Sequence, residues 1–250
     1  MARAQGGKFH LRIEDIDQSR ARVHWEAQIY EDLGWLGLEW STPVLRQSQR
    51  MDAYSRALGI LWDEGLLYAC TCNRRDIAQA ASAPQEGASA SVGPDGIVYP
   101  GTCRNKGLGM AQGALRLDMS KAAARITPDD MQFNEQGKVI RFDADALVQD
   151  IGDVVLARRN MGTSYHLSVV MDDSHQEITC VTRGLDLADA TPIHVVLQHL
   201  LGLAHPTYHH HKLIRDDAGI RLAKRDDARA IALYRQEGTT PGQLRGMVGL

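Results

Sequence analysis

Cys70 and Cys72 stand one residue apart, and Cys103 follows beyond a stretch rich in small residues. Thiolates this close in sequence are candidate metal ligands, and zinc takes four donors from Cys, His or carboxylate. Spacing supplies three donors and no evident fourth, so it fits three ordinary cysteines equally well. Cys180 sits in the apolar run Glu177 to Thr182 and reads as core. The densest acidic cluster is Arg12-Ile-Glu-Asp-Ile-Asp17. At the carboxyl end of a strand, Glu14 would face the ligand crevice of an open sheet. A carboxylate there holds a substrate ammonium by a charge-assisted hydrogen bond. A solvated strand end followed by helix-capping acids is the plainer alternative, and the cluster alone favours it.

Arg183 follows the predicted strand Glu177 to Thr182, where its planar fork is placed to clamp a carboxylate. A surface arginine is the competing reading. Asp172-Asp173 reads as a turn rather than a metal or ribose contact. The stretch from Lys212 to Arg235 carries seven basic residues and four acids. Within it, Asp217-Ala-Gly-Ile-Arg-Leu-Ala-Lys224 is a glycine-bearing loop before a helix. Lys224 on such a loop can neutralise phosphate charge in a transition state, although solvated loops of this composition are common. His209-His-His211 cannot form one metal site on a strand, because neighbours alternate faces. They read as surface or structural residues.

These groups need a frame. Lys8 to Ile13 alternates like a short strand. A helix follows, with Ser19 as its cap, Val23, Ala27, Tyr30 and Leu33 on its face and Gly34 as its stop. A second helix runs from Ser48 to Glu64, with Met51, Tyr54, Leu58 and Leu61 inward and Gly65 as its end. Ala81 to Gly96 reads as a loop. Strands are predicted at Leu115 to Leu117, Val139 to Phe142 and Asp153 to Ala157. Tyr165 to Met171 is apolar and fits either strand or helix. Thr191-Pro192 opens a helix that Gly202 stops. Tyr208 to Ile214 reads as extended and Asp227 to Gln236 as helical. Alternating strands and helices around an interruption predict an α/β fold with an open parallel sheet.

The 250 residues, at about 150 per domain, suit one large domain or one domain with an insertion. With 44% hydrophobic and 24% charged residues, a disordered or collagen-like chain is excluded. The net charge of −3 argues against a general nucleic-acid coat. Four cysteines do not make a secreted disulfide framework. No apolar run reaches the roughly 18 residues of a membrane span, and the start has no apolar signal core. The expectation is a soluble cytoplasmic protein with no membrane association.

Taken in order, Leu11-Arg-Ile-Glu-Asp-Ile-Asp17, the Cys-x-Cys pair, Asp153-Val-Val-Leu-Ala-Arg158, Ser164-Tyr-His-Leu167, Val170-Met-Asp-Asp173, Thr182-Arg-Gly-Leu-Asp186 and Arg221-Leu-Ala-Lys-Arg225 resemble the class I glutamyl-tRNA synthetases. The likeness is greatest to a short branch of that family acting on tRNA(Asp). It implies a Rossmann-like catalytic domain in two parts, residues 1–68 and 150–250, around an inserted zinc-binding subdomain, 69–149. It implies activation of glutamate by ATP, with Mg in the substrate complex, and transfer to the queuosine base at the wobble position of tRNA(Asp). Alternatives are a non-catalytic tRNA-binding paralogue and a fragment of a tRNA(Glu)-charging enzyme. By the resemblance Glu14 takes the ammonium, Tyr165 hydrogen-bonds the amino acid, Arg183 clamps a carboxylate and Lys224 meets ATP phosphates. Cys70, Cys72, Tyr99 and Cys103 would hold zinc, and the protein would be a monomer. Arg221 to Arg225 stands for the KMSKS-type loop. The family's first strand, glycine-rich turn and HIGH-type histidine would precede Met1.

Overall fold

A computed structural model describes residues 2–81, 91–215, 219 and 230–249. In chain order the elements are β1 (His10–Ile13), α1 (Val23–Trp35), β2 (Ser41–Arg46), α2 (Met51–Asp63), β3 (Leu67–Cys70), α3 (Arg74–Ala81), β4 (Val92–Gly93), β5 (Gly96–Ile97), β6 (Ala114–Leu117) and α4 (Met119–Ala123). Then come β7 (Gln132–Glu135), β8 (Lys138–Arg141), α5 (Ala144–Ala146), β9 (Val155–Ala157), α6 (Tyr165–His175), β10 (Cys180–Gly184), α7 (Thr191–Leu200), β11 (Thr207–His211), α8 (Ile231–Gln236) and α9 (Pro241–Met247). They form two compact units, residues 1–49 with 212–250, and residues 50–211.

In the first unit β1 and β2 pair in parallel, His10 opposite Ser41 and Ile13 opposite Arg46, with α1 between them in sequence. Ser19 does not cap α1. Its hydroxyl and amide both turn back to Asp17 Oδ1, at 2.5 and 3.2 Å, and the helix starts four residues later, at Val23, without a side-chain cap. Nor does Gly34 stop it. The left-handed residue is Gly37, at φ +73°. Its amide reaches the Gly34 carbonyl and the Leu38 amide reaches Leu33, which closes the helix by a Schellman motif. Arg235 of α8 reaches Glu31 of α1 at 3.0 Å.

In the second unit α2 ends by the same motif, and here the expected Gly65 is the left-handed residue, at φ +69°. Tyr54, Leu58 and Leu61 are buried on its face. β3, β6 and β9 form an antiparallel sheet with Leu117 and Leu156 fully buried. Another sheet runs β10-β11-β7-β8, parallel through its first three strands and antiparallel at β8. The parallel sheet expected from the alternation is therefore confined to β1-β2 and β10-β11-β7 among the described residues. The loop predicted over Ala81 to Gly96 contains a hairpin, β4-β5.

Tyr165 to Met171 is helical, because the Ser164 hydroxyl accepts from the Leu167 amide and opens α6. Glu177 takes φ +53° at the far end of α6, and the Ile178 amide returns to the Asp173 carbonyl. That termination uses residues predicted as strand, so β10 begins only at Cys180 and contains Arg183. Cys180 is half-buried rather than core. Asp172-Asp173 lies inside α6, not in a turn. Asp172 is fully buried and accepts from Arg50 Nε at 2.6 Å and the Tyr54 hydroxyl at 2.8 Å. Thr191-Pro192 opens α7 as expected, with Thr191 as its first residue and Ala190 at the cap position.

Candidate functional sites in the second unit

One cluster collects sulfur. β3 delivers Cys70, and Cys72 follows beyond its end. The chain returns through Tyr99-Pro-Gly-Thr-Cys103. Gly101 there takes φ +79°, a left-handed turn that suits glycine. The three sulfurs lie within 4.8 Å of one another. The Tyr99 hydroxyl is 3.4 Å from both Cys70 Sγ and Cys72 Sγ, and Cys72 Sγ is 3.5 Å from Cys103 Sγ. The cysteines form no disulfide. A tetrahedron with zinc–sulfur bonds of about 2.3 Å has edges of about 3.8 Å, so these four donors fit a zinc-sized ion. Gly113 makes the close approach possible: a Cβ there would sit 2.5 Å from the Cys70 carbonyl oxygen.

The electrostatics of the cluster favour thiolate at one sulfur. Burial pushes the Cys103 thiol up, but hydrogen bonds from Tyr99, Thr71 and Cys72 outweigh it and bring it down to about 6. Burial drives Cys72 upward. Burial, then the three thiols, hold the Tyr99 hydroxyl well above its ordinary value. The Arg116 guanidinium lies 3.9 Å from the centre of the Tyr99 ring, and cations over aromatic faces are attracted there.

A second cluster surrounds Arg183. Parallel register sets Arg183 of β10 opposite His210 of β11. Tyr208 and His210, two apart on β11, share one face, and both are buried. Facing them is α7, buried nearly all round, whose polar residues Thr191, His194 and Gln198 recur at helical spacing. Gln198 donates to the Tyr208 hydroxyl at 3.1 Å. Arg183 Nε donates to His210 Nε2 at 3.0 Å, one terminal nitrogen contacts His194 Nδ1 at 2.8 Å, and the other donates to Thr191 Oγ1 at 2.7 Å. Among the described residues no carboxylate lies within ion-pair distance of this buried cation. Buried charges ordinarily have a counter-charge. Tyr165, half-buried at the start of α6, places its ring 5.8 Å from that of His194. The fold thus brings Tyr165 and Arg183 to one shared neighbour.

The other predicted residues belong to the first unit or lie outside the described residues. Glu14 is exposed just beyond β1, at the strand's carboxyl end as expected, 3.5 Å from Arg12. Its neighbour Asp15 accepts from the Ser48 amide and hydroxyl at 2.8 and 2.6 Å, and Asp17 from Ser19, so both acids brace turns. Lys224, with Arg221 to Arg225, lies outside the described residues. The sequence presents Thr191 only as the opening of a helix and gives His194 and His166 no site role of their own. The polar stripe in an otherwise apolar α7 is the signal that points to the first two, since buried polar groups require internal partners. Of the three consecutive histidines, His210 is structural, bonded to Arg183 and Glu135.

Residues 1–250 match the family of class I tRNA synthetases for E and Q, in its catalytic domain. The chain belongs to that family. Its relatives narrow the likeness: the glutamyl-Q tRNA(Asp) synthetase of Rhodobacter capsulatus is 58% identical over 259 residues, covering 100% of this chain and 91% of its own length. The glutamyl-Q tRNA(Asp) synthetase of Pseudomonas fluorescens is 39% identical over 223 residues, covering 89% of this chain and 67% of its own. That of Nocardia farcinica is 39% identical over 255 residues, covering 99% and 75%. Among solved structures, a glutamate tRNA ligase from Elizabethkingia meningosepticum superposes with a TM-score of 0.70 at 23% identity, over 98% of this chain and 54% of that one. The glutamate-tRNA synthetase of Elizabethkingia anophelis gives 0.72 at 22%, over 98% and 55%. The chain spans about half the length of those two, and the likeness to them establishes the fold.

Proposed function

We propose that the chain activates glutamate with ATP and transfers it to the queuosine base at the wobble position of tRNA(Asp). The observation that carries the reading is Arg183, a buried guanidinium that has no carboxylate partner among the described residues, on a fold whose relatives bear that name. An amino acid with a second carboxylate supplies the missing charge. In the proposed reaction a glutamate carboxylate oxygen attacks the α-phosphorus of Mg-bound ATP, and pyrophosphate leaves. A nucleophilic group of the queuosine base then attacks the acyl carbon and AMP leaves. Arg183 clamps one carboxylate, Tyr165 hydrogen-bonds the amino acid, and Glu14 receives its ammonium. Lys224 offsets charge building on the phosphates. In this reading residues 1–68 and 150–250 are the catalytic parts, and the protein is a cytoplasmic monomer.

We assign zinc to Cys70, Cys72, Tyr99 and Cys103 in the inserted subdomain 69–149. The ion would serve a structural role there, because four protein donors would fill the coordination that zinc takes at structural sites. The donors are free thiols within reach of one another and of one hydroxyl.

The test is glutamate-dependent exchange of labelled pyrophosphate into ATP, followed by transfer of labelled glutamate to tRNA(Asp) with and without queuosine. Label on queuosine-bearing tRNA(Asp) alone is the expected result. Label on the terminal ribose of tRNA(Glu) would identify a tRNA(Glu)-charging activity instead. Absence of exchange with every acceptor would favour the non-catalytic alternative.

A further inference from the structure

Arginine is always a donor and has no acceptor atom. Every group that Arg183 touches must therefore present a lone pair, and this fixes the protonation of its neighbours. His194 Nδ1, 2.8 Å away, must be bare. The proton of neutral His194 then sits on Nε2 and points at His166 Nδ1, 3.1 Å away. His166 is left with its proton on Nε2, which faces Asp95 at 3.8 Å. On the other side His210 Nε2 accepts from Arg183 at 3.0 Å. Its proton is on Nδ1 and goes to Glu135 Oε1 at 2.8 Å. Thr191 Oγ1 accepts from Arg183 and lies 3.4 Å from the same His210 nitrogen. Thus one chain, from Asp95 through His166, His194, Arg183 and His210 to Glu135, has a single consistent set of proton positions.

We propose that His194 and His210 are positioning residues, neutral imidazoles that hold the Arg183 fork through bare nitrogens and leave its positive charge for a substrate carboxylate. The proposal deepens the glutamate reading and rests on it. Three of the five N–H groups of Arg183 are engaged by neutral acceptors. Among the described residues two remain without a partner, one on each terminal nitrogen, enough for a bidentate carboxylate. A carboxylate in place of either histidine would orient the fork equally well but would neutralise it. A protonated imidazole would have no lone pair to offer and would repel the cation. Two other arginines of the same unit are neutralised directly: Arg50 meets Asp172 at 2.6 Å, and Arg104 meets Asp153 at 2.7 Å; buried Arg116 instead donates to the Asp153 carbonyl and lies over the Tyr99 ring. At Arg183 the acidic groups are set back by imidazoles, Glu135 behind His210 alone and Asp95 behind both His166 and His194. His194 also stays neutral on its own account, its basicity suppressed by burial first and then by His166, Arg183 and His210.

The experiment compares substitutions at both positions in the full-length protein. His194→Asn and His210→Gln each keep a neutral acceptor where the bare nitrogen was. His194→Leu and His210→Leu remove it, and His194→Asp and His210→Glu add charge. Pyrophosphate exchange gives KM for glutamate and for ATP separately. The amide variants are expected within about threefold of the parent, and the leucine variants are expected to raise KM for glutamate about tenfold or more, with KM for ATP unchanged. The acidic variants are expected to be at least as impaired as leucine, although they keep an acceptor. Acidic variants as active as the amide variants would overturn the proposal, and so would equal loss in KM for ATP. Should the leucine variants not fold, the amide-against-acid contrast still decides. Imidazole 15N spectra of the parent supply a readout that activity does not touch. The Nε2–H tautomer at His194 and Nδ1–H at His210 are expected, and a proton on either Arg183-facing nitrogen would overturn the cradle. The expected tautomers together with no glutamate-dependent exchange would support the cradle and remove only the glutamate reading.

Discussion

The cysteine cluster and the Arg183 cluster lie in the same unit and are electrostatic opposites. The first gathers lone pairs: three sulfurs and a phenol oxygen, close enough to share protons. The second sets a cation, which only donates, among neutral acceptors. One has room for a positive charge and the other for a negative one. Buried charge is costly unless matched, and at Asp153 and Asp172 the same fold matches it. Asp153 takes Arg104, the Tyr68 hydroxyl and the Met119 amide. The contrast separates polar groups that stabilise the fold from those prepared for something else to bind.

The largest expected effect tests the lone-pair side. Metal analysis should find about one zinc per chain, and Cys72→Ser should lose it. Zinc binding contributes directly to folding at structural sites, about 10 kcal/mol or more in small zinc peptides, so a chelator should also lower the melting temperature markedly. A well-folded, metal-free parent would remove zinc from the account. Next comes the cation side. Arg183→Ala should raise KM for glutamate about a hundredfold, the scale of a lost charged contact left with an unpaired partner. Arg183→Lys keeps the charge but not the fork, and should recover only part. If lysine restored full affinity, the geometry built by His194 and His210 would have no purpose.

The two clusters also differ in how far the chain reveals them. Cys70, Cys72 and Cys103 are legible because thiols are rare and two of them are adjacent in spacing. Tyr99 became a candidate only by resemblance, and Gly113 gave no signal, because its role is a close approach set by strand pairing. Arg183 was placed near a strand end, yet its partners come from α7 and β11 and meet it only through parallel register. Helix ends show the same divide. Gly65 and Gly37 serve one motif, but Gly34 competes with Gly37 in the sequence, and only the backbone closure decides. The end of α6 was hidden because Glu177, not glycine, takes the left-handed position. Arg221 to Arg225 is the reverse case: its resemblance to a KMSKS-type loop is legible in the sequence, and the segment lies outside the described residues.

Matched charge supplies the control for the comparison. Asp172→Asn keeps shape but removes the anion facing Arg50, which has little solvent exposure. Breaking a buried pair costs about 3 kcal/mol. Chemical denaturation should show that loss, with the glutamate-to-ATP ratio of KM values unchanged. A selective loss of glutamate affinity would mean that Asp172 belongs with the substrate cluster rather than the core. A smaller effect, on rate alone, is expected for Lys224→Ala, which should slow adenylate formation about tenfold or more while stability is retained. An unchanged rate would exclude Lys224 from the chemistry.

The smallest effect is the most diagnostic of how Arg183 is held. Thr191 is the third neutral acceptor, at 2.7 Å, and lies at the first position of α7 where its side chain does not cap the helix. Thr191→Val preserves shape and volume but withdraws one lone pair from a guanidinium that keeps two others. A single hydrogen bond to a charged group contributes about 1.5–3 kcal/mol, and partial compensation through the imidazoles should leave about 1 kcal/mol, or roughly a fivefold rise in KM for glutamate. Thr191→Ser, which keeps the hydroxyl, should restore it. A valine variant with normal glutamate affinity would show that the two imidazoles suffice. A loss as large as that of Arg183→Ala would show that the fork collapses without all three, and that the cluster works as one unit rather than as separate contacts.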